Sequence, residues 1–219
     1  MNIDLKDKKI VYLIRHGQSE DNLRPVFQRP QAPLTKNGLS QAKLIANRLS
    51  DINFDIILSS PYQRAFQTAE IIGNKINKSV FVKDFLREIT SPKSIQGKKY
   101  DDPIASKKWR KWEKTLRNGD LKFEDGENYI EHIQRVDQIL TYLKNLPFSK
   151  IALVSHGYLI RALIFRAVLD NSLNPEILNK IQNKIKSENT GISILFYSDD
   201  FEQDFSFRLY TYNDHAHFS

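Results

Sequence analysis

The stretch KIVYLIRHG, residues 9 to 17, decides the fold. Its first six residues are an apolar, β-branched run that stops abruptly at Arg15-His16-Gly17, so it reads as a buried strand feeding a loop. IALVSHG, residues 151 to 157, repeats the pattern and stops at His156-Gly157 before an apolar helix to about Leu169. Between the two, Gly38 to Leu49 places Leu39, Ala42, Ile45, Ala46 and Leu49 on one helical face, and Asp55 to Leu58 reads as a second strand. Ser60-Pro61 then supplies a predicted N-cap and first helical position for a helix to about Ile76. Val80 to Val82 is a short third strand, and Ile192 to Tyr197 and Phe205 to Tyr212 look like closing strands. Strands separated by helices imply an α/β fold, a three-layer α/β/α sandwich around a mostly parallel central sheet.

The exception is the middle. From Ile89 to about Arg135 the chain turns polar, with Pro92, Gly97, Pro103, Gly119 and Gly126 punctuating two helical stretches. We read residues 1–219 as a single domain carrying a helical cap insertion at about 89–135, a division that 219 residues accommodate around one core.

Composition narrows the chemistry. There is no cysteine, which excludes disulfides, cysteine-ligated zinc and any phosphatase built on a cysteine nucleophile, and fits a cytoplasmic chain. Met1 to Lys9 shows no secretory pattern, and the apolar stretch Tyr158 to Leu169 is cut by Arg161 and Arg166, so no membrane span is expected. The eight glycines never fall in dinucleotide or P-loop spacing. A net charge of +7 would nevertheless draw in anions, so phosphate must be handled by another device.

That device is expected where strands end. In open α/β sheets ligands bind beyond the carboxyl ends of the strands, and here two such ends each deliver a histidine followed by glycine, which would let backbone approach a ligand closely. Arg64 lies in the first turn of the helix after Ser60-Pro61, where free N–H groups and the helix dipole favour an anion. Arg15 and Arg64 can clamp a phosphoryl group while one histidine attacks phosphorus and the other donates to a phosphoryl oxygen.

With those residues in view, LIRHGQSEDN (13 to 22) resembles the RHG signature of the histidine phosphatase superfamily, in its phosphoglycerate mutase-like branch. PLTKNGLSQAKLIANRL (33 to 49), ILSSPYQRAFQTAEII (57 to 72), LREI (86 to 89), DGENYIEHIQRV (125 to 136) and ALVSHGYLIRAL (152 to 163) are similar to that family's later motifs, in order. The resemblance implies that His16 is the nucleophile and becomes phosphohistidine. It implies further that Arg15, Arg64 and His156 line the phosphate pocket, that Asn22 adds a polar contact, and that Glu88 protonates the leaving group. Gly157, where the acid-phosphatase branch has aspartate, moves the acid role to Glu88. A cap that partly buries this carboxyl would help it to hold a proton, with Asp21, Glu20 and Glu127 as possible substitutes. No metal or organic cofactor is implied. The chain departs from the family where relatives carry aspartate before Pro-Leu-Thr: it has Ala32, preceded by PVFQRPQ, in which Gln28 is placed to face the substrate.

The expected activity is hydrolysis of a small phosphorylated metabolite. A cofactor-dependent phosphoglycerate mutase is the alternative. Against it, the longer insertion and added basic motif of such mutases are not found between Ile89 and Arg135, and the NDHAHF ending (213 to 218) is similar to phosphatase-like members. A third possibility is a module that only holds a phosphorylated ligand or a nucleic acid, because KKWRKWEK (107 to 114) sets Trp109, Trp112 and Leu116 on one helical face and cations on the rest. We favour tryptophans that pack the cap and lysines that are solvated or steer an anion, so neither nucleic acid nor membrane is an expected partner. His215 and His217 lack further ligands at zinc-like spacing and read as a structural tail.

Overall fold

The computed structural model describes residues 9–119, 121–199 and 206–218. Met1 to Lys8 and Phe205, where the last strand is expected to begin, lie outside them. Six strands form one sheet: β1 (Lys9–Arg15), β2 (Ile56–Ser59), β3 (Val80–Val82), β4 (Lys150–Ser155), β5 (Ile192–Tyr197) and β6 (Phe207–Asp214), in the order β3-β2-β4-β1-β5-β6. The first four in that order run parallel, and β5 and β6 are antiparallel additions on one side. The helices are α1 (Glu20–Leu23), α2 (Lys36–Arg48), α3 (Gln63–Ile76), α4 (Pro103–Thr115), α5 (Tyr129–Asn145), α6 (Gly157–Leu169) and α7 (Pro175–Lys184).

Side-chain alternation on the strands builds two cores. Ile151 and Leu153 of β4, with Val11 and Leu13 of β1, face Val136, Ile139 and Leu143 of α5 and Leu159 and Leu163 of α6. Ala152 and Val154, with Ile14 and Ile57, face Ile45 and Leu49 at α2 and Ala65, Ala69 and Ile72 of α3. Burial on both faces is why β1 and β4 are continuous apolar runs in the sequence rather than alternating ones. The result is the expected α/β/α sandwich with a mostly parallel sheet.

Four details differ from the sequence-based expectation. Leu39 is exposed, so the buried stripe of α2 starts at Ala42. Helix α3 begins at Gln63, two residues beyond the predicted start, with Tyr62 at the N-cap position; the Ser60 hydroxyl accepts the Tyr62 N–H at 3.2 Å and faces His156 Nε2 at 2.7 Å. The polar middle holds one complete helix, α4, capped by Asp102, whose carboxylate accepts the Ile104 and Ala105 N–H groups, with Pro103 at N1. The second helical stretch is the start of α5, whose box of Asn128 and Glu131 satisfies two N–H groups and whose apolar face lies on the sheet. Helix α7, also not anticipated, carries the same start signal: Asn174 caps it, Pro175 follows, and Leu178 and Ile181 are buried.

The cap is fastened to the loop after α1 by backbone pairing. Phe27 N–H donates to Lys98 O at 3.0 Å, and Gly97 N–H donates back to Phe27 O at 2.7 Å. Gly97 has φ +77°, and a Cβ there would stand 2.9 Å from Arg29 Cδ, so both conformation and space call for glycine. Phe27, Ile95, Ala105 and Trp109 form a small core of their own. Trp112 is buried, with its indole N–H donated to Glu127 O at 2.9 Å. The tryptophans of the basic run thus pack the cap, as favoured from the sequence. No helix among the described residues is long and apolar enough to cross a membrane.

Candidate active site

Strand register brings the two histidines together. β1 and β4 pair in parallel from Ile10 opposite Lys150 to Arg15 opposite Ser155, so both strands end at the same level and the next residue of each is a histidine. The His16 and His156 rings lie 5.1 Å apart between centroids and both are buried. His16 Nδ1 lies 2.7 Å from Gly17 O. A carbonyl only accepts, so the ring proton sits on Nδ1 and the Nε2 lone pair is exposed to whatever faces it. Arg64 Nε donates to that nitrogen at 3.1 Å. Arg64 itself is fixed by donation from Nη1 to Arg29 O at 2.9 Å.

The space beside the glycine after each histidine is bordered by the protein's own atoms. A Cβ on Gly17 would stand 2.6 Å from Gly38 O, and one on Gly38 would stand 2.0 Å from Gln18 O, so the nucleophile loop and the start of α2 touch backbone to backbone. A Cβ on Gly157 would lie 3.2 Å from Arg161 Nη1 and 3.4 Å from Arg15 Nε. Gly157 therefore makes room for two guanidinium groups. Arg15 donates to Ser187 O, while its Nε and His156 Nδ1 are buried without a hydrogen-bond partner among the described residues.

Glu88 meets this group from the loop after β3. Its two carboxylate oxygens accept N–H groups of Tyr158 at 3.1 Å, Leu159 at 3.0 Å and Ile89 at 2.9 Å, so it sits on the N-terminus of α6 directly after His156. The alternative acids are occupied elsewhere. Asp21 is buried against Arg29, whose Nε donates to it at 3.0 Å; Glu127 is paired with Arg135; Glu20 lies beside Arg24 in solvent. A cavity of about 520 Å³ opens between these residues and the cap, lined among others by Arg64, Glu88, Tyr62, Gln28 and Trp109. Glu88 is the single carboxylate among its described lining residues.

Two buried histidines between two arginines, one ring nitrogen unprotonated and facing Arg64, and a carboxylate on the adjoining helix start sit at the carboxyl edge of a sheet whose sequence matches the model of the histidine phosphatase superfamily (branch 1) over residues 11–206. The chain belongs to that superfamily. An Escherichia coli protein described as a probable phosphoglycerate mutase, GpmB, is 32% identical over 158 residues, covering 70% of this chain and 72% of the relative. A phosphoserine phosphatase from Entamoeba histolytica, solved with phosphoserine, superposes with TM-score 0.73 at 27% identity over 95% of this chain and 98% of that one. A putative alpha-ribazole-5'-P phosphatase from Escherichia coli shares the fold at TM-score 0.74 and 21% identity, covering 94% and 97% of the two chains.

Within this member of the superfamily the residues named from the sequence do not all converge. His16, Arg15, Arg64, His156, Gly157 and Glu88 come together, and Gln28 lines the cavity. Asn22 is turned inward to its own turn, where Oδ1 accepts the Ser19 N–H at 2.9 Å. Sequence reasoning passed over Ser60, which faces His156, and Asn189, whose Nδ2 donates to His16 O at 2.9 Å. It also missed a buried clamp around Glu88: Arg135 donates to Phe85 O at 2.8 Å, Arg87 O at 2.9 Å and the Glu127 carboxylate at 2.7 Å, while Glu127 accepts the Thr90 N–H at 3.1 Å. A signal existed, since His132 and Arg135 fall at the core spacing of Val136, Ile139 and Leu143, where a charged side chain needs a partner.

Burial and the neighbouring guanidinium groups of Arg64 and Arg15 hold His16 well below the ordinary imidazole range. Burial, Arg64 and His16 do the same for His156. Burial also lowers His132, and it lowers Arg64 to about 10, which leaves that guanidinium charged. The three imidazoles are therefore neutral in the folded protein where an unfolded chain would protonate them. Above about pH 6.5 neither state takes up these protons and stability is unaffected; below it only the unfolded chain binds them, so stability falls with falling pH. The limiting slope is about 1.4 kcal/mol per pH unit for each histidine that stays neutral in the folded protein. Urea midpoints are expected to be flat above neutrality and to drop steeply between pH 6.5 and 5.5; a level profile there would refute neutral burial of the trio.

Proposed function

We propose that the chain is a cytoplasmic phosphatase that hydrolyses a phosphomonoester of a small metabolite through a phosphohistidine on His16. The observation that carries this reading is the tautomer of His16: its proton is held by Gly17 O, so Nε2 offers its electron pair at a point flanked by Arg64. A phosphoryl group entering there gives Arg64 charged oxygens in place of a ring nitrogen, with Arg15 Nε and His156 Nδ1 as further contacts. Nε2 attacks phosphorus, the P–O ester bond breaks, and its electron pair leaves on the alcohol oxygen, which takes a proton from Glu88. Water, giving a proton back to Glu88, then attacks phosphorus. The P–N bond breaks, phosphate leaves and the Nε2 electron pair is restored.

The GpmB relative favours the second reading, transfer back to a phosphoglycerate. The two readings separate when the protein is incubated in EDTA with a metabolite panel, and with 3-phosphoglycerate with and without 2,3-bisphosphoglycerate. Phosphate release from a panel member is the expected result. Rapid, bisphosphoglycerate-dependent interconversion of phosphoglycerates with little free phosphate would replace hydrolysis by mutase chemistry.

A further inference from the structure

Six aromatic side chains drawn from distant parts of the chain border the cavity beside Arg64 and Glu88: Phe27, Tyr62, Tyr100, Trp109, Trp112 and Tyr158. Both tryptophans of the protein are among them. Phe27 and Trp109 stack with centroids 5.1 Å apart and planes at 26°, Tyr100 meets Phe27 edge-on at 4.9 Å, and Trp112 meets Trp109 edge-on at 5.0 Å. The result is one continuous aromatic wall on the cap side of a space of about 520 Å³, within the range that small ligands fill.

Charge is scarce along that wall. Arg64 and Arg110 are the cations among the described lining residues; Arg64 is bound to His16 and Arg29, and Arg110 is exposed. The neighbouring lysines point elsewhere, Lys108 to Glu124 at 2.8 Å and Lys111 over the Phe123 ring at 5.9 Å. A leaving group with a second carboxylate or phosphate would find only one solvated arginine to meet it. A planar ring would find faces and edges to pack against, with Gln28 and Gln96 as uncharged polar residues on the same lining.

We infer that this cavity is the leaving-group subsite and that it selects alcohols bearing an uncharged aromatic or heteroaromatic ring over carboxylated or doubly phosphorylated ones. The inference rests on the phosphatase reading of the His16 site and adds the substrate class. Trp109, half-buried and backed by Phe27, supplies the main stacking surface, and selection is expressed in KM.

The test has a binding arm and a turnover arm. Binding of 2-phenylethylphosphonate, n-butylphosphonate and 3-phosphonopropionate to the intact protein is measured by calorimetry. Tryptophan fluorescence, excited at the red edge where phenyl does not absorb, reports whether the ring reaches the wall. The phenyl compound is expected to bind about tenfold more tightly than either of the others and to change the fluorescence. Turnover compares 2-phenylethyl phosphate with n-butyl phosphate, whose alcohols differ little in basicity. The kcat/KM ratio is expected to favour the ring by a similar factor, to fall towards one in Trp109→Ala and to be retained in Trp109→Phe. Equal binding of phenyl and butyl compounds, or tighter binding of the carboxylated one, would overturn the subsite. Hydrolysis of both esters without ring preference overturns the subsite and leaves the phosphatase reading standing; the expected binding order with no hydrolysis supports the subsite and removes the phosphatase reading.

Discussion

His16→Ala is expected to abolish phosphoenzyme formation and to lower phosphate release on the order of 10⁴–10⁶-fold, the scale of removing a covalent nucleophile. Protein quenched during turnover of a labelled substrate should carry phosphate that is lost in acid and kept in base, the lability of phosphohistidine. The two histidines are not equivalent. His16 Nε2 carries no proton, because Nδ1 holds it, and accepts only from Arg64 Nε at 3.1 Å, a donor that a phosphoryl oxygen can take over, whereas His156 Nε2 is engaged with the Ser60 hydroxyl at 2.7 Å. His156→Ala should accordingly slow labelling but leave its chemistry unchanged. Label of the same lability persisting in His16→Ala would move the nucleophile elsewhere.

Glu88→Gln is the second large effect. Loss of a general acid costs roughly 10²–10⁴-fold where the leaving alcohol needs a proton and much less where it does not. Hydrolysis of alkyl phosphates should fall in that range, while p-nitrophenyl phosphate, whose phenolate leaves unaided, should fall far less. The comparison matters because Glu88 also accepts the N–H groups of Tyr158 and Leu159 at the start of α6. If its work were only to cap that helix, both substrates would suffer alike and the melting temperature would drop with them.

How much of this was legible before the structure depends on how local each cause is. β1 and β4 could be read because burial on both faces leaves an unbroken apolar run, and the run ends where the chain leaves the sheet. That both ends carry histidine made the phosphate site legible too, although its tightness comes from a register that pairs Arg15 with Ser155 across 140 positions of chain. The start of α3 lies two residues later than the sequence suggests, although the Ser60 hydroxyl does meet the Tyr62 N–H; what the sequence does not contain is its second contact, to a residue 96 positions away. The second helical stretch of the middle was assigned to the cap because its first turn is polar, while the buried face of α5 begins one turn later. The fate of Asn22 and the clamp of Arg135 and Glu127 are likewise settled by partners: a short side chain finds the N–H three residues back, and a buried guanidinium gathers whichever carbonyls the fold brings to it.

The backbone pairing between Phe27 and the Gly97–Lys98 turn makes two distant stretches of chain answer to one another. Residues near 25–32 and 91–112 are far apart in the chain, yet backbone hydrogen bonds and one small core join them. Changing one of them alone leaves two backbone hydrogen bonds mismatched and a ring without its stacking neighbour. The two segments therefore respond to substitution as one unit, and a change in the loop reaches beyond the cap, because Arg29 O is also what holds Arg64 in place.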